Sequence, residues 1–218
     1  MSQYIQGRAV RVEIGLTEGG AKTVNAVTQA DPGVATCSVA HTLVNGSVGY
    51  FTEVEGMTPL EGQAVRLSAP AGAAFTLEGI DTEDMPEFTG TAGFVPITAW
   101  STVAPSTSYS ISQAAADKSD ITVLLDDQKQ EENGLLAAQS VTINVNSEKV
   151  PGQAMALIEK AARKQLDLVW RITFKTGEQR IWRGQPDLAG EDVQQGQKGT
   201  GSFNVTVRGQ ILKLGAVA

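Results

Sequence analysis

Chemically reactive side chains are scarce in this chain, which has one cysteine, Cys37, and one histidine, His41. A single thiol forms no intrachain disulfide, so the small secreted scaffolds stapled by several bridges are excluded. Metal centres built from sets of His and Cys ligands are excluded by number. Cations are the minority, 17 Lys and Arg against 24 Asp and Glu, for a formal net charge of -7. Gripping nucleic acid by its phosphates needs clustered cations. The charge balance argues against that mode, but not against surrounding a duplex without holding it. No apolar stretch is long enough to span a bilayer. The opening Met1-Ser2-Gln3-Tyr4-Ile5-Gln6-Gly7-Arg8 lacks the apolar run of a signal peptide. A soluble product made in the cytoplasm, with no membrane partner, is expected.

What is present is β-forming. The 218 residues are 41% hydrophobic and include 23 glycines, interleaved with short Val/Ile/Thr/Phe runs. That is enough apolar material for a core, with turns close together, and it favours a β-dominated fold. Residues 9–15 alternate Val10, Val12 and Ile14 against Arg11 and Glu13, a half-buried strand, followed by a turn at Gly19-Gly20. Residues 23–94 read as a small all-β module with strands at 34–39, 48–54, 63–67 and 75–77. It ends in the acidic loop Asp81-Thr82-Glu83-Asp84-Met85-Pro86-Glu87. Strands are then predicted at 109–112, 121–125 and 141–145, with an exposed loop at 126–134. Pro151 suits the first position of a helix of about four turns. Ala154, Leu157, Ile158 and Ala161 form its inner face, and Glu159, Lys160, Arg163 and Lys164 its outer face. Strands at 168–174, 179–183 and 203–211 close the chain. The reading is a β-sandwich or partial barrel with one flanking helix: 1–22 and 95–218 form one domain, and 23–94 is an insertion.

No catalytic constellation emerges. Cys37 and His41 share a strand face but stand too far apart for contact, and no orienting carboxylate follows. Asp81, Glu83, Asp84 and Glu87 lack the spacing and glycine of a calcium loop and read as solvated surface. So do Asp126, Asp127, Glu131 and Glu132. Gly196, Gly199 and Gly201 do not match a phosphate-binding loop. Trp170 and Trp182 fall on adjacent predicted strands, where packing is the default. A sugar-binding platform would need Trp100 exposed beside them. The expectation is no enzyme, no metal and no cofactor.

Two stretches resemble phage proteins. The segments Asp31-Pro32-Gly33-Val34-Ala35-Thr36, Ala40-His41-Thr42-Leu43-Val44-Asn45-Gly46, Val54-Glu55-Gly56-Met57-Thr58-Pro59-Leu60-Glu61-Gly62 and Phe75-Thr76-Leu77-Glu78-Gly79-Ile80-Asp81 look like a small β-module that recurs in tailed-phage structural proteins. Glu61 stands where that pattern often has Asn. From Trp100 to Ile211 the order of motifs is similar to tail tube proteins of long non-contractile tails. It runs Ser110-Ile111-Ser112, Gly134-Leu135-Leu136, Val141–Val145, the helix with Ala154-Leu157-Ile158, Trp170-Arg171-Ile172-Thr173-Phe174, and a closing Val207-Arg208-Gly209-Gln210-Ile211. The tube of a contractile tail or a secretion device is a physically close relative.

The resemblance implies hexameric rings stacked into a tail tube, with a continuous inner β-barrel and the helix outside. It implies residence in the virion after assembly in the host cytoplasm. Tape measure, tail terminator and distal tail proteins are the implied partners, and double-stranded DNA passes without specific binding. Alternation then nominates Thr142, Asn144, Asn204, Thr206, Arg208 and Gln210 as facing the lumen, with Arg208 expected to pair with an acid from a neighbouring subunit. The charged stretch with Asp117, Asp120, Asp126, Asp127, Glu131 and Glu132 is nominated as a ring-stacking loop. The rival is a carbohydrate-binding or adhesive β-sandwich.

Overall fold

Short alternating runs separated by turns become strands in the computed structural model, which describes residues 10–112, 115–123 and 127–217. The first strands in chain order are β1 (Arg11–Glu18), β2 (Lys22–Val27), β3 (Val34–Cys37), β4 (Val48–Thr52), β5 (Ala64–Ala71) and β6 (Ala74–Glu78). They are followed by β7 (Ala92–Thr102), β8 (Ser106–Ile111), β9 (Ala116–Asp120), β10 (Glu131–Leu136) and β11 (Ser140–Asn146). Helix α1 (Gln153–Lys164) precedes β12 (Leu168–Thr173), β13 (Gln179–Pro186), β14 (Gly190–Asp192) and β15 (Thr200–Leu214).

Pairing divides these strands into a closed part and an open part. In the order β2-β3-β6-β5-β4-β7, the pairing of β2 with β7 closes the ring into a small barrel. Closure leaves no edge exposed. Strand β7 then runs on to pair with β1, which leads into the open series β1-β12-β13-β15-β11-β8. The barrel encloses Phe51, Phe75 and Phe94, with ring centroids 5.1–5.4 Å apart, among Val24, Ala35, Leu67 and Leu77.

The barrel and the helix cover opposite faces of the open sheet. Val169, Ile181, Leu212 and Leu214 belong to the barrel's core, whereas Trp170, Ile172, Trp182, Phe203 and Val205 pack with Ala154, Met155 and Ile158 of α1. Neighbours in sequence such as Val169 and Trp170 thus point into different cores, as strand alternation requires. Trp170 and Trp182 are register partners whose rings stack at 6.2 Å and 5°. Between barrel and sheet lies Arg66, fully buried, with a two-pronged grip on Glu78 and a 3.0 Å bond to Gln179 Oε1. A bidentate carboxylate is the partner that makes a buried guanidinium tolerable.

Several local expectations are corrected. The strand expected at 9–15 runs to Glu18, and Glu13 is buried rather than facing solvent, because Arg171 binds it at 2.9 Å. Strands β2 and β14 carry too little apolar alternation to be seen in sequence. Strand β7 falls where no strand was expected, with Pro96 inside it. A proline is accepted there because the ladder with β4 ends at the Gly49–Pro96 pair and no further donor is required. The helix begins at Gln153 with Gly152 as its cap, so Pro151 precedes it, and its 12 residues make fewer turns than expected. Residues 121–123 form no strand, and 124–125 lie outside the described residues. The expected loop at 126–134 is strand from Glu131 onward, in a hairpin with β9.

Strand β15 carries the main irregularity. Ile181 pairs with Leu212 and Arg183 with Arg208, so two steps on β13 face four on β15. Two extra residues preserve the side-chain parity that one would reverse. Gly209, at φ 69°, makes the kink. The Gln63 side-chain amide fills the gap, accepting from Gln210 N–H at 2.9 Å and donating to Gln210 C=O at 3.2 Å. A Cβ at position 209 would collide with Gln63 Oε1. Gly209→Ala is expected to cost about 1–3 kcal/mol for the backbone strain alone and more for the collision. Gly196→Ala, at a similar φ with nothing nearby, should cost less. Urea unfolding midpoints of the two variants check the order.

Candidate functional site

The face of the open sheet turned away from α1 changes character along its length. Near β13 and β12 it is covered by the barrel. Toward β15, β11 and β8 no described residue covers it, and its side chains are neutral and polar. Register sets Thr142 between Ser110 and Asn204, and Asn144 between Ser108 and Ser202. Ser140 stands opposite Thr206, which also faces Gln185. Thr142 Oγ1 donates to Asn204 Oδ1 at 2.7 Å, and Asn144 Nδ2 donates to Ser108 Oγ at 2.8 Å. The inward residues of the same strands, Val141, Ile143, Phe203 and Val205, are buried. Four of the six nominated residues therefore share one surface, joined by Ser108, Ser110, Ser202 and Gln185. Sequence reasoning missed these four because serine and glutamine carry little alternation signal.

Arg208 and Gln210 stand at the rim of this surface. Arg208 does not wait for an acid from another subunit: Asp167 of the same chain accepts from it at 3.0 Å and also contacts Arg183 at 3.5 Å. Arg183 lies over the Tyr50 ring at 4.3 Å, and Tyr50 Oη donates to Glu18 at 2.8 Å. The cations at the rim are thus opposed by acids within the chain. Gln210 is exposed beyond the kink, and its backbone is bonded to Gln63.

The other nominated set falls on the β9–β10 hairpin, a separate two-stranded sheet. Asp117 and Asp120 lie on β9, Glu131 and Glu132 on β10, and Asp127 between them; Asp126 is outside the described residues. Lys118 and Lys129 reach Glu131 at 3.0 and 2.8 Å, and these bonds hold the Glu131 carboxyl below its ordinary pKa. Bonds from Thr122 do the same for Asp120. Every described residue from Asp117 to Leu136 is exposed, so these ion pairs contribute little to stability.

A family model described as phage tail tube protein matches residues 55–210, from inside the small barrel to the kink in β15. The chain belongs to the phage tail tube protein family. No curated protein matches it. A tail tube protein is a structural part of the tail and not an enzyme.

Within this tail tube protein the groups weighed for chemistry have structural surroundings. Cys37 is buried, and that burial raises its thiol pKa, with Lys22 opposing weakly. His41 places its ring edge on Phe75 at 5.4 Å and its Nε2 3.3 Å from the Ala74 carbonyl. Asp81, Glu83, Asp84 and Glu87 are exposed, on a loop pinned by Thr82, whose hydroxyl bonds to Thr28 and Ala30 carbonyls. The sugar-platform reading loses its residues: Trp170 and Trp182 are fully buried, and Arg171 covers Trp100 at 4.0 Å.

Alkylation of Cys37 is expected to be at least about tenfold slower in the native protein than after denaturation, because the thiol is both covered and protonated. A thiol-reagent time course measures this. Burial first, and then the bond to Glu18, push Tyr50 from its ordinary 10.0 up to about 12. A raised folded-state value favours the neutral phenol, so its contribution to stability is complete below pH 10 and lost as pH climbs toward 12. Burial raises Tyr109 as well, so ultraviolet titration should show a last phenol step toward pH 12, and Tyr50→Phe should remove that last step.

Proposed function

We propose that the protein assembles into hexameric rings that stack into a tube, and that the phage genome passes through its bore. The neutral face of β15, β11 and β8 carries the reading. Thr142, Asn144, Asn204 and Thr206 would line the lumen, with Arg208 and Gln210 at its margin. A duplex sliding past amides and hydroxyls meets hydrogen-bonding groups that water also satisfies, and no row of cations to release counterions from its phosphates. The helix and its core lie on the opposite side of the sheet, as an outer layer requires.

An unpaired strand edge supports assembly. Among the described residues, strand β8 ends the open series with one side unmatched. Exposed edges invite pairing, and closing a barrel across copies consumes them. The β9–β10 hairpin is the stacking element: long, charged and exposed at every described residue from Asp117 to Leu136. The small barrel at residues 23–94 is an insertion carried on the flank of the tube domain. Assembly takes place in the host cytoplasm, with a tape measure protein inside the tube and distal and terminator proteins at its ends.

Negative-stain images of the concentrated protein are expected to show rings or striated tubes with a central hole. A protein that stays monomeric at high concentration overturns the proposal. Tubes carrying Asn204→Lys and Thr206→Lys should retain duplex DNA that wild-type tubes release, and retention should fall steeply with added salt. Fluorescent DNA co-sedimentation reads this directly.

A further inference from the structure

The β9–β10 hairpin carries two features that a solitary monomer leaves unused. Leu135 and Leu136 are 85% and 71% exposed. The described residues of 116–136 hold five acids, Asp117, Asp120, Asp127, Glu131 and Glu132, against Lys118 and Lys129, a net charge of about -3 by that difference. Both lysines are engaged inside the hairpin. Asp117, Asp127 and Glu132 meet no cation among the described residues.

The complementary surface lies on α1. Its outer side bears Lys160, Arg163 and Lys164 against the single acid Glu159, and none of these cations meets a carboxylate among the described residues. Together with Pro151 and Ala156 these residues line a shallow groove. Apolar surface predominates in it, from the proline, the alanine methyl and the cation stems, and three of its six residues are cations. Strand register sets Asp117 and Glu132 on the opposite hairpin face from Leu136, which pairs with Ala116, and the bulge before Leu136 leaves Leu135 opposite Asp117. We propose that this groove receives the β9–β10 hairpin of a second copy of the chain, with Leu135 on its apolar surface and Asp117 and Glu132 of the same face, together with Asp127, against Lys160, Arg163 and Lys164. The proposal rests on the tube reading and adds the receiving surface to it. Opposite charge on the two surfaces steers them together and penalises hairpin against hairpin and helix against helix. A two-stranded hairpin with no core behind it is marginal alone, and docking supplies the missing cover.

Charge exchange tests it. The triple variant Lys160→Glu, Arg163→Glu, Lys164→Glu and the triple variant Asp117→Lys, Asp127→Lys, Glu132→Lys should each raise the concentration needed for assembly by about tenfold or more. The six changes together should restore assembly toward wild type. All six side chains are exposed, and circular dichroism verifies folding before assembly is scored. In a second arm, Leu135→Cys and Ala156→Cys are expected to form a disulfide between copies under mild oxidation. Wild-type tubes with either triple variant assembling normally, or with no rescue in the combined variant, overturn the docking and leave the tube reading standing. Cross-linking through Leu135→Cys alone, hairpin to hairpin, also overturns the docking. Wild-type protein that forms no tubes overturns both readings.

Discussion

The open sheet has to meet three environments with two faces, and the rest of the molecule is arranged around that demand. One face carries the core that α1 covers, with the stacked pair Trp170 and Trp182 at the centre. The other face is apolar only under the small barrel, where Val169, Ile181, Leu212 and Leu214 stand, and becomes hydroxyl and amide where the barrel ends. Burial of apolar side chains at about 25 cal/mol per Å² binds helix and barrel to their places. The remaining part of the second face is free to be hydrophilic because the first already supplies the core.

The boundary between covered and bare surface falls at the kink in β15. There Gly209 admits two extra residues, and Gln63 reaches across from the barrel to bond the displaced backbone. An odd number of extra residues would have turned Leu212 and Leu214 away from the barrel and brought their neighbours to it. Arg66, held by Glu78 and Gln179, and Arg183, held by Asp167 over Tyr50, flank this boundary. Charges at the junction are thus consumed within the chain, and the surface beyond it is left with Ser108, Thr142, Asn144, Asn204 and Thr206. Neutrality of that surface is an outcome of pairing as much as of composition.

The hairpin follows a different rule. Among the described residues its strands pair only with one another, its ion pairs are exposed to solvent, and its two leucines face water. Such an element is a poor contributor to the stability of one molecule and a good candidate for contact between molecules. Membership of the tail tube family, a structural class of the phage tail, gives that contact a setting.

Strong alternation was legible in the sequence. Val141, Ile143 and Val145, the run from Phe203 to Val207, and the apolar stripe of α1 declare their inward faces, because period and burial coincide there. The division of Asn204 and Thr206 from Phe203 and Val205 followed from the same alternation. Sequence could not reveal Glu13 beneath Arg171, or Arg208 held by Asp167, since each pair joins residues far apart in the chain whose proximity is set by strand order. It missed β7 because Pro96 reads as a breaker unless the end of the β4 ladder is known. It read 131–134 as loop because a fully exposed hairpin has no apolar period to show. The amino-acid order alone therefore determined which strands have two unlike faces. Only the tertiary structure decided which face the barrel covers, where that cover stops and which charges cancel, because those depend on contacts between distant strands that no local period encodes.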